Sequence, residues 1–260
     1  MIIGTHRYRE HVESALSSMP GEDFRIEKII RNDFSNGVVV VKNNKLAGRV
    51  EDIKFLESVE PGLRTQFLNE GRVLSAMQHK NLPRIYDIIS HGDTLLFRSE
   101  HLEGYSLKEV LDYLKDSGER LPRQAATSII FKLMNALYYA HNEVRFEDMR
   151  RSIIHCDIKP SNIILCAKDC LRKEQVDNGF IELIKQNRVE PFIIDFGIAK
   201  FSGSPADQSG TLQYLSPAQA GYAMPGHELD WRTDMHQLLL VYYELLTGKK
   251  VFDSDSAAEV

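Results

Sequence analysis

The stretch IIHCDIKPSN places several side chains that can do chemistry between apolar residues typical of a β-strand. His155 and Cys156 are residue types that bind metals or react as thiols. Asp157 can accept a proton from a hydroxyl group, and Lys159 and Asn162 are close enough in sequence to assist it. The stretch therefore leaves two kinds of site open: a metal or thiol site, and a site where an aspartate activates a hydroxyl.

A second acidic residue extends this pattern. Asp157 and Asn162 bridge a turn between two short apolar runs, and Asp195 follows the apolar run FII, with Phe196 and Gly197 behind it. Carboxylate and amide oxygens at strand ends suit a hard cation with few protein ligands, and Mg²⁺ prefers such a site when a substrate phosphate supplies the remaining ligands. These residue types therefore suit a magnesium site that a substrate phosphate would complete.

Composition excludes several classes of protein. A formal net charge of -5 over 260 residues gives no basic footprint, so we expect no nucleic-acid partner. The N-terminus does not resemble a signal peptide, and the longest apolar run, LLLVYY, is too short to span a bilayer, so we expect no membrane partner. The cysteines at 156, 166 and 170 are too few and too clustered for a disulfide framework, which favours a cytoplasmic protein.

The first hundred residues alternate strand patterns with helix patterns. The runs FRIEKII, VVVVKN and RVEDIKFLES predict three antiparallel strands, and RIYDII and TLLFRSEHL predict two more. Between these groups the period is helical, and Phe67, Glu70, Leu74 and Met77 share one face. A carboxylate turned toward a core requires a cationic partner, so Glu70 must have one.

The rest of the chain is mainly helical. We expect a short amphipathic helix in residues 5–18, helices from Ser106 to Leu114 and after the sequence RLPRQ, and a long helix from Trp231 to Leu246. The runs SIIH and NIIL read as short strands on either side of Asp157, and GFIELIKQ as a further helix. These strands and helices must position the polar residues that follow or precede them in the sequence.

The same motifs, in order, resemble the protein kinase family. HCDIKPSN resembles the family's catalytic loop H-R-D-L-K-x-x-N, and DFG its magnesium-binding motif. VEDIKFL resembles the strand that carries the nucleotide-binding lysine, here Lys54, and FLNEGRVLSAMQHKNLPRIYD the αC helix with Glu70. EHLEGYSL resembles the hinge, preceded by Ser99 at the position that guards the pocket behind the adenine. GTLQYLSPAQA resembles the end of the activation segment, and RTDMHQLLLVYYELLTGKKVF the αF helix.

This resemblance implies an α+β, bilobal protein kinase-like fold, in which an N-lobe with an antiparallel sheet and the αC helix precedes a mainly helical C-lobe that ends after αF. The expected division is an N-terminal helical extension at 1–22, the N-lobe at 23–100, a hinge at 101–105 and a truncated C-lobe at 106–260.

The resemblance also assigns roles to residues. Catalytic roles fall to four residues: Lys54, which holds the α and β phosphates; Glu70, which orients Lys54; Asp157, which takes the proton of the acceptor hydroxyl; and Lys159, which offsets charge on the γ-phosphoryl group. The implied cofactors are ATP and Mg²⁺, with the metal on Asn162 and Asp195. The residues implied to bind the cofactors are Lys54, Phe34, Gly37, Glu100, Leu102, Asn162 and Asp195.

The sequence departs from the family in several places. The glycine-rich loop retains a single glycine, Gly37, so nucleotide affinity is expected to be weak. Cys156 replaces the arginine that ordinarily meets a phosphate on the activation segment, so we expect activity without phosphorylation. Ala218 replaces a glutamate, and the terminal helices are expected to be missing, so a partner chain could cover the underside of αF. Polar insertions near 142–152 and 167–190 flank the catalytic loop.

The main interpretation is a serine/threonine protein kinase acting on protein substrates. A pseudokinase or kinase-like binding module, and a phosphotransferase for small molecules, remain alternatives. Individually the residues also have plainer readings. Asp157 and Asn162 are common turn residues. Lys54 could be an edge-strand lysine and Glu70 a solvated helix residue. Cys166 and Cys170 are more typical of free thiols than of a metal site, and His155 of a packed, hydrogen-bonded histidine.

Overall fold

The chain forms two compact units. The computed structural model describes residues 13–14, 16–17, 23–33, 36–57, 60–91, 94–146, 149–167, 174–196, 199–205, 209–221 and 228–252. The first unit contains the described residues up to Ser75 together with Arg84–His101, and the second contains Ala76–Pro83 and the described residues from Leu102 onward. The sheet-rich first unit and helix-rich second unit confirm the predicted α+β class.

The first unit is a five-stranded antiparallel sheet with one helix packed on it. The strand order is β1-β2-β3-β5-β4. The strands are β1 (Phe24–Asp33), β2 (Asn36–Asn43), β3 (Arg49–Glu57), β4 (Ile85–His91) and β5 (Thr94–Glu100). Val39, Val41, Ile53, Phe55 and Leu96 form the core of this sheet. The alternation of side chains along a strand explains why Val39 and Val41 share a face.

The helix of this unit is α1 (Pro61–Ser75), which packs against β4 and β5. Proline at its first position is compatible with a helix start, because the missing N–H has no intrahelical partner there. Phe67 and Leu74 are buried, and Glu70 lies on the same face, as its spacing predicts. Gly71 allows the close approach to the sheet, since a Cβ atom there would lie 3.0 Å from Ile88 Cδ1.

The described part of the second unit combines four α-helices with short strands. The helices are α2 (Leu107–Ser117), α3 (Arg123–Asn142), α4 (Asn178–Lys185) and α5 (Trp231–Thr247). A three-stranded sheet has the order β11-β10-β6, where β6 is Gly104–Ser106, β10 is Ile163–Cys166 and β11 is Glu190–Ile193. Two small pairs, β7 (Arg145–Phe146) with β8 (Met149–Arg150) and β9 (Ile153–Ile154) with β12 (Lys200–Phe201), complete the described strands.

Sequence signals define the helix ends in this unit. Ser106 begins α2 with a capping box, in which its hydroxyl accepts from Glu109 N–H and the Glu109 carboxylate accepts from Ser106 N–H. Asp230 begins α5 in the same manner by accepting from Arg232 N–H. The helices α3 and α5 pack against each other. The stripe predicted on α3 is buried throughout: Ala126, Ile130, Leu133, Leu137 and Ala140.

One of the two expected insertions contributes to the core. Within 167–190, α4 buries Phe180, Ile181 and Ile184, and the Phe180 ring packs edge-on against Tyr105 with centroids 4.7 Å apart. The apolar face of α4 is therefore buried, although polar residues flank the helix in the sequence. The other insertion, near 142–152, contains the β7–β8 hairpin.

Most of the predicted N-terminal helix of residues 5–18 lies outside the described residues; 13–14 and 16–17 are helical, and Leu16 is buried in the first unit's core. None of the helices in the described part of the chain is long and apolar enough to cross a membrane.

Candidate active site

In the first unit, Lys54 and Glu70 form a close ion pair. Lys54 lies on β3 opposite Phe97 of β5, and Glu70 lies on the face of α1 that packs on the sheet. The Lys54 ammonium donates to both carboxylate oxygens of Glu70, at 2.6 and 2.8 Å. The side chain of Glu70 is 5% exposed and that of Lys54 is 21% exposed. The partner that a core-facing Glu70 requires is therefore Lys54, whose ammonium remains the more accessible of the two.

A second buried ion pair fixes the same strand three residues earlier. Glu51 is fully buried on β3 and accepts hydrogen bonds from Arg98 of β5 at 2.9 and 3.2 Å and from Arg49 at 2.9 Å. Burial alone would raise the pKa of Glu51, but hydrogen bonds and charges from Arg98 and Arg49 outweigh it and hold the pKa below its ordinary value of 4.5. This network ties β3 to β5 and so supports the strand that carries Lys54.

In the second unit, the Asp157 carboxylate is surrounded by donors. Its Oδ1 accepts from the Thr211 amide at 3.1 Å and from the Thr211 hydroxyl at 3.0 Å. Its Oδ2 accepts from Lys159 Nζ at 2.6 Å and from Asn162 Nδ2 at 3.1 Å. Lys159 also donates to the Thr211 hydroxyl at 2.7 Å. A carboxylate held by so many donors is a fixed proton acceptor, whereas a turn residue needs only one such bond.

A backbone hydrogen bond links Asn162 to the residue that precedes Asp195. The amide of Ile194, the residue before Asp195, donates to the Asn162 carbonyl at 3.0 Å. Asn162 uses its Nδ2 on Asp157, so within the described residues its Oδ1 has no hydrogen bond and is available as an oxygen ligand. Asp195 has a left-handed backbone with φ 66°, which asparagine and aspartate tolerate better than most residues.

This oxygen pair fits the kind of metal site that the sequence implies. Mg²⁺ commonly takes one or two protein oxygens and completes its shell with phosphate and water. In the described ranges no group of three or more His, Cys, Asp and Glu residues could hold a metal by itself. A magnesium ion here would therefore depend on a bound phosphate for part of its shell.

His155 is a positioning residue, since both of its ring nitrogens are occupied. The Asp157 amide donates to Nδ1 at 3.2 Å, so Nε2 carries the proton and donates to the Ile194 carbonyl at 3.0 Å. The ring also packs edge-on against Phe196, with centroids 4.5 Å apart. His155 thus connects the loop of Asp157 to the segment that carries Asp195.

Cys156 has an unusual backbone conformation that three side chains stabilise. Its φ of 70° is left-handed, a region that costs an ordinary residue about 1–2 kcal/mol. Its amide donates to Asp234 Oδ1 at 2.9 Å, and its carbonyl accepts from Gln219 Nε2 at 2.8 Å and from Gln237 Nε2 at 2.9 Å. The backbone N–H and the backbone carbonyl of Cys156, the residue before Asp157, therefore both have side-chain partners.

Asp234 and Gln237 anchor this loop to α5. Asp234 is fully buried and also accepts from the His155 amide at 2.9 Å and from His141 Nε2 at 2.8 Å. Gln237 Oε1 accepts from the Ile158 amide at 2.8 Å. The amides of His155, Cys156 and Ile158 thus donate to two α5 side chains that lie one helical turn apart. Through these bonds α5 positions the loop that carries Asp157.

The remaining predicted positions are distributed as follows. Gly37 is buried on β2, opposite Phe55 of β3, and Ser99 lies at the end of β5 with its hydroxyl 3.4 Å from the Asp52 carbonyl. Glu100 ends β5, where its amide donates to the Arg84 carbonyl at 2.8 Å; Leu102 follows in the second unit and is partly buried. Phe34 lies outside the described residues, as does Cys170, while Cys166 is a free thiol.

The two departures at Cys156 and Ala218 occur at one place. Ile154, Cys156 and Leu229 form a small apolar cluster, and Ala218 packs against it. An arginine or a glutamate would bring a charge into this cluster, and a buried charge is costly without a partner. The apolar residues at 156 and 218 are therefore mutually compatible.

The motifs alone did not identify Asp234, Gln237, Gln219 and His141 as part of this site. A signal did exist: Asp234 and Gln237 are polar residues one turn apart on a helix that is otherwise largely apolar, and buried polar groups need partners. The backbone groups of the loop that Asp234 and Gln237 bind lie 78 to 81 residues earlier in the chain, so the sequence gives no local indication of these bonds.

Comparison with known proteins agrees with this geometry. A family model described as protein kinase domain matches residues 33–260. The chain is 30% identical over 200 residues to a probable serine/threonine-protein kinase of Clostridium perfringens, which covers 75% of this chain and 24% of that protein.

It is also 30% identical over 200 residues to serine/threonine-protein kinase PrkC of Bacillus subtilis, covering 75% of this chain and 25% of that protein. With serine/threonine-protein kinase A of Synechocystis it shares 26% identity over 245 residues, covering 90% of this chain and 42% of that protein. The chain therefore spans less than half the length of each of these relatives.

Proposed function

Because the chain belongs to the protein kinase domain family, we propose that it transfers the γ-phosphoryl group of ATP to serine or threonine hydroxyl groups of proteins. The observation that carries this proposal is the Asp157 carboxylate, held by Lys159, Asn162 and Thr211. A hydroxyl, that of Thr211, already donates to Asp157 Oδ1 at 3.0 Å, so the carboxylate accepts hydrogen bonds from alcohols in this position.

Each predicted residue has a role consistent with phosphoryl transfer, in which positioning and charge neutralisation supply most of the catalysis. Asp157 orients the acceptor hydroxyl and takes its proton. Lys159 lies 2.6 Å from that carboxylate and offsets negative charge that develops beside it. In the first unit, Glu70 holds the Lys54 ammonium in one direction, so that Lys54 can bind the α and β phosphates of ATP.

Asn162 and Asp195 are proposed to hold Mg²⁺, with Asn162 Oδ1 as one ligand. The metal ion, when bound, neutralises the phosphates and fixes their orientation. The Asn162 side chain is kept in place by its Nδ2 bonds to the Asp157 carbonyl and carboxylate, at 2.9 and 3.1 Å. Nucleotide contacts from Phe34, Gly37, Glu100 and Leu102 remain predictions from the family resemblance.

We further propose that activity does not require phosphorylation of the activation segment. The arginine that would read such a phosphate is replaced by Cys156, which belongs to an apolar cluster. Thr211 is already hydrogen-bonded to Asp157 and Lys159 without a phosphate. Replacing Ser202, Ser204 and Ser209 together by alanine is expected to leave the transfer rate within about twofold, because none contacts Asp157 in the described residues.

The deciding experiment measures phosphate transfer from γ-labelled ATP with Mg²⁺ to the protein itself and to peptide acceptors. Asp157→Asn removes the proton acceptor with little change of shape, and Asp116→Asn, on the exposed face of α2, is a matched control. Transfer that the control retains and Asp157→Asn loses would support the kinase. Nucleotide binding with no transfer would support a pseudokinase, and transfer to small alcohols but never to peptides a small-molecule phosphotransferase.

Two further proposals concern the surroundings of the protein. Phe131, Met134 and Tyr138 share an exposed face of α3, and Leu239 and Tyr243 are exposed on α5, which supports a partner chain over these helices. Sedimentation that depends on concentration, and that Phe131→Glu abolishes, would identify a second copy as the partner. The free thiols of Cys156 and Cys166 are compatible with a cytoplasmic location.

A further inference from the structure

A groove in the second unit adjoins the residues that hold Asp157. Its volume is about 670 Å³, and Lys159 and Thr211, which both contact the Asp157 carboxylate, form part of its wall. The rest of the wall comes from α2, from the turn after Lys159, and from the end of α5 and the residues that follow it. A peptide whose hydroxyl lies at Asp157 therefore has its neighbouring residues at this groove.

Positive charge dominates the wall of the groove. Five lysines line it, at 108, 115, 159, 249 and 250, against the two carboxylates of Asp112 and Glu244. This excess is local, because the whole chain has a formal net charge of -5.

Ion pairs within the described residues neutralise only two of these five lysines. Lys108 pairs with Asp112 at 2.6 Å, and Lys159 pairs with Asp157 at 2.6 Å. Lys115 makes no ion pair in the described part of the chain, and the same holds for the two lysines that follow α5, Lys249 and Lys250. Three uncompensated ammonium groups thus face one remaining carboxylate.

That remaining carboxylate is itself engaged. Glu244 accepts a hydrogen bond from the Tyr214 hydroxyl at 2.5 Å. Burial first, and then this bond to a carboxylate, raise the pKa of Tyr214 far above its ordinary value, so the hydroxyl remains a donor to Glu244. Glu244 is therefore held at the wall by Tyr214, and among the described residues it makes no ion pair with Lys249 or Lys250.

The backbone presents these lysines from two directions. Lys108 and Lys115 are seven residues apart on α2 and so lie on one face of the helix, with Leu111 between them. Lys249 and Lys250 follow Gly248, whose left-handed φ of 67° ends α5 and turns the chain. The free ammonium groups therefore come from two separate segments of the groove wall, and a chain lying in the groove can contact both.

We propose that this groove binds acidic residues of the protein substrate, so that the enzyme selects serine or threonine flanked by aspartate or glutamate. The proposal rests on the proposed kinase function and names its substrate class. Charge complementarity identifies the occupant, because a basic peptide would bring like charges against Lys115, Lys249 and Lys250. Lys115, Lys249 and Lys250 are exposed, so their attraction is screened by salt, and the selectivity is strongest at low ionic strength.

The test compares kcat/KM for three peptides with one central serine: flanking aspartates, flanking lysines and flanking alanines. The acidic peptide is expected to exceed the alanine peptide about tenfold at low salt, since each exposed pair contributes up to a few-fold. The triple variant Lys115→Glu, Lys249→Glu, Lys250→Glu is expected to reverse the order and favour the lysine peptide. The triple variant Lys28→Glu, Lys42→Glu, Lys80→Glu, at exposed lysines outside the groove, changes the net charge by the same amount and should not change the order.

The outcomes separate this proposal from the proposed function. No transfer to any of the three peptides would contradict the kinase function itself. Transfer to all three at equal rates, or an order that the triple variant leaves unchanged, would overturn the acidic selectivity while the kinase function stands. If the triple variant unfolds, Lys115→Gln alone is used, and it should lower the ratio of kcat/KM for the acidic peptide to kcat/KM for the alanine peptide. A peptide primed with phosphoserine that exceeds the acidic peptide more than tenfold would overturn the assignment to carboxylates.

Discussion

Replacing Asp234 by asparagine tests whether α5 positions the catalytic loop. The carboxylate accepts three hydrogen bonds: from the amides of His155 and Cys156, each at 2.9 Å, and from His141 Nε2 at 2.8 Å. Asparagine keeps one acceptor oxygen, which can serve His155 and His141, because both donate to Oδ2. Its NH₂ group then faces the Cys156 amide, and two donors confront each other.

The expected cost follows from these three bonds. A buried donor without a partner costs about 1–3 kcal/mol, and each bond that changes from charged to neutral loses about 1 kcal/mol. The free energy of unfolding should therefore fall by about 3 kcal/mol or somewhat more, which is less than the typical total of about 5–15 kcal/mol. The variant should still fold, but the left-handed peptide of Cys156 loses its amide partner.

Activity should fall together with stability. A shift of about 1 Å at Asp157 can cost about 100-fold in kcat. Urea unfolding followed by circular dichroism measures the first effect, and peptide phosphorylation at saturating ATP measures the second, both beside Asp116→Asn as an exposed carboxylate control. A variant whose stability lies within about 0.5 kcal/mol of the parent and whose kcat is unchanged would show that α5 does not position the loop.

Three further predictions address other parts of the chain. Lys54→Met should reduce kcat about 10²–10³-fold, because a preorganised charge on the phosphates is lost, and unchanged kcat would contradict this role. The folded pKa of Glu51 lies below its ordinary value of 4.5. The contribution of Glu51 to the free energy of unfolding is therefore present above pH 4.5 and is lost as the pH falls through the folded pKa. In an acid titration of the unfolding free energy, Arg98→Met should lose less stability than the parent protein. Gly104→Ala should lower the melting temperature, because a Cβ atom there would lie 2.2 Å from the Leu165 carbonyl oxygen, and an unchanged melting temperature would mean that the β6–β10 pair adjusts freely.

The fold was largely predictable because its signals are local. A run of four β-branched valines, 38–41, gives β2, and the i, i+3, i+7 spacing of Phe67, Glu70 and Leu74 gives the buried face of α1. The need of Glu70 for a cation followed from the same spacing, and the ion pair with Lys54 meets it. These inferences required only the period of the pattern and the cost of burying a charge.

What the sequence could not reveal depends on contacts between distant segments. The Glu51–Arg98 pair joins residues 47 apart, and the bonds of Asp234 to the catalytic loop join residues 78 and 79 apart. The charge of the groove combines lysines from α2 with lysines beyond α5. No local pattern marks such pairs, because each partner alone is an ordinary polar residue.

The anchoring of the catalytic loop by α5 has a consequence for how the chain acquires its active form during synthesis. Ribosomes produce the chain from its N-terminus, so His155 and Cys156 emerge almost 80 residues before Asp234, the residue that accepts their amides. Until α5 has been made and has packed on α3, the left-handed Cys156 lacks its bonds to Asp234 and Gln237 and keeps only the bond from Gln219. A nascent chain that ends before α5 therefore contains the whole HCDIKPSN motif but lacks the anchors that hold its loop.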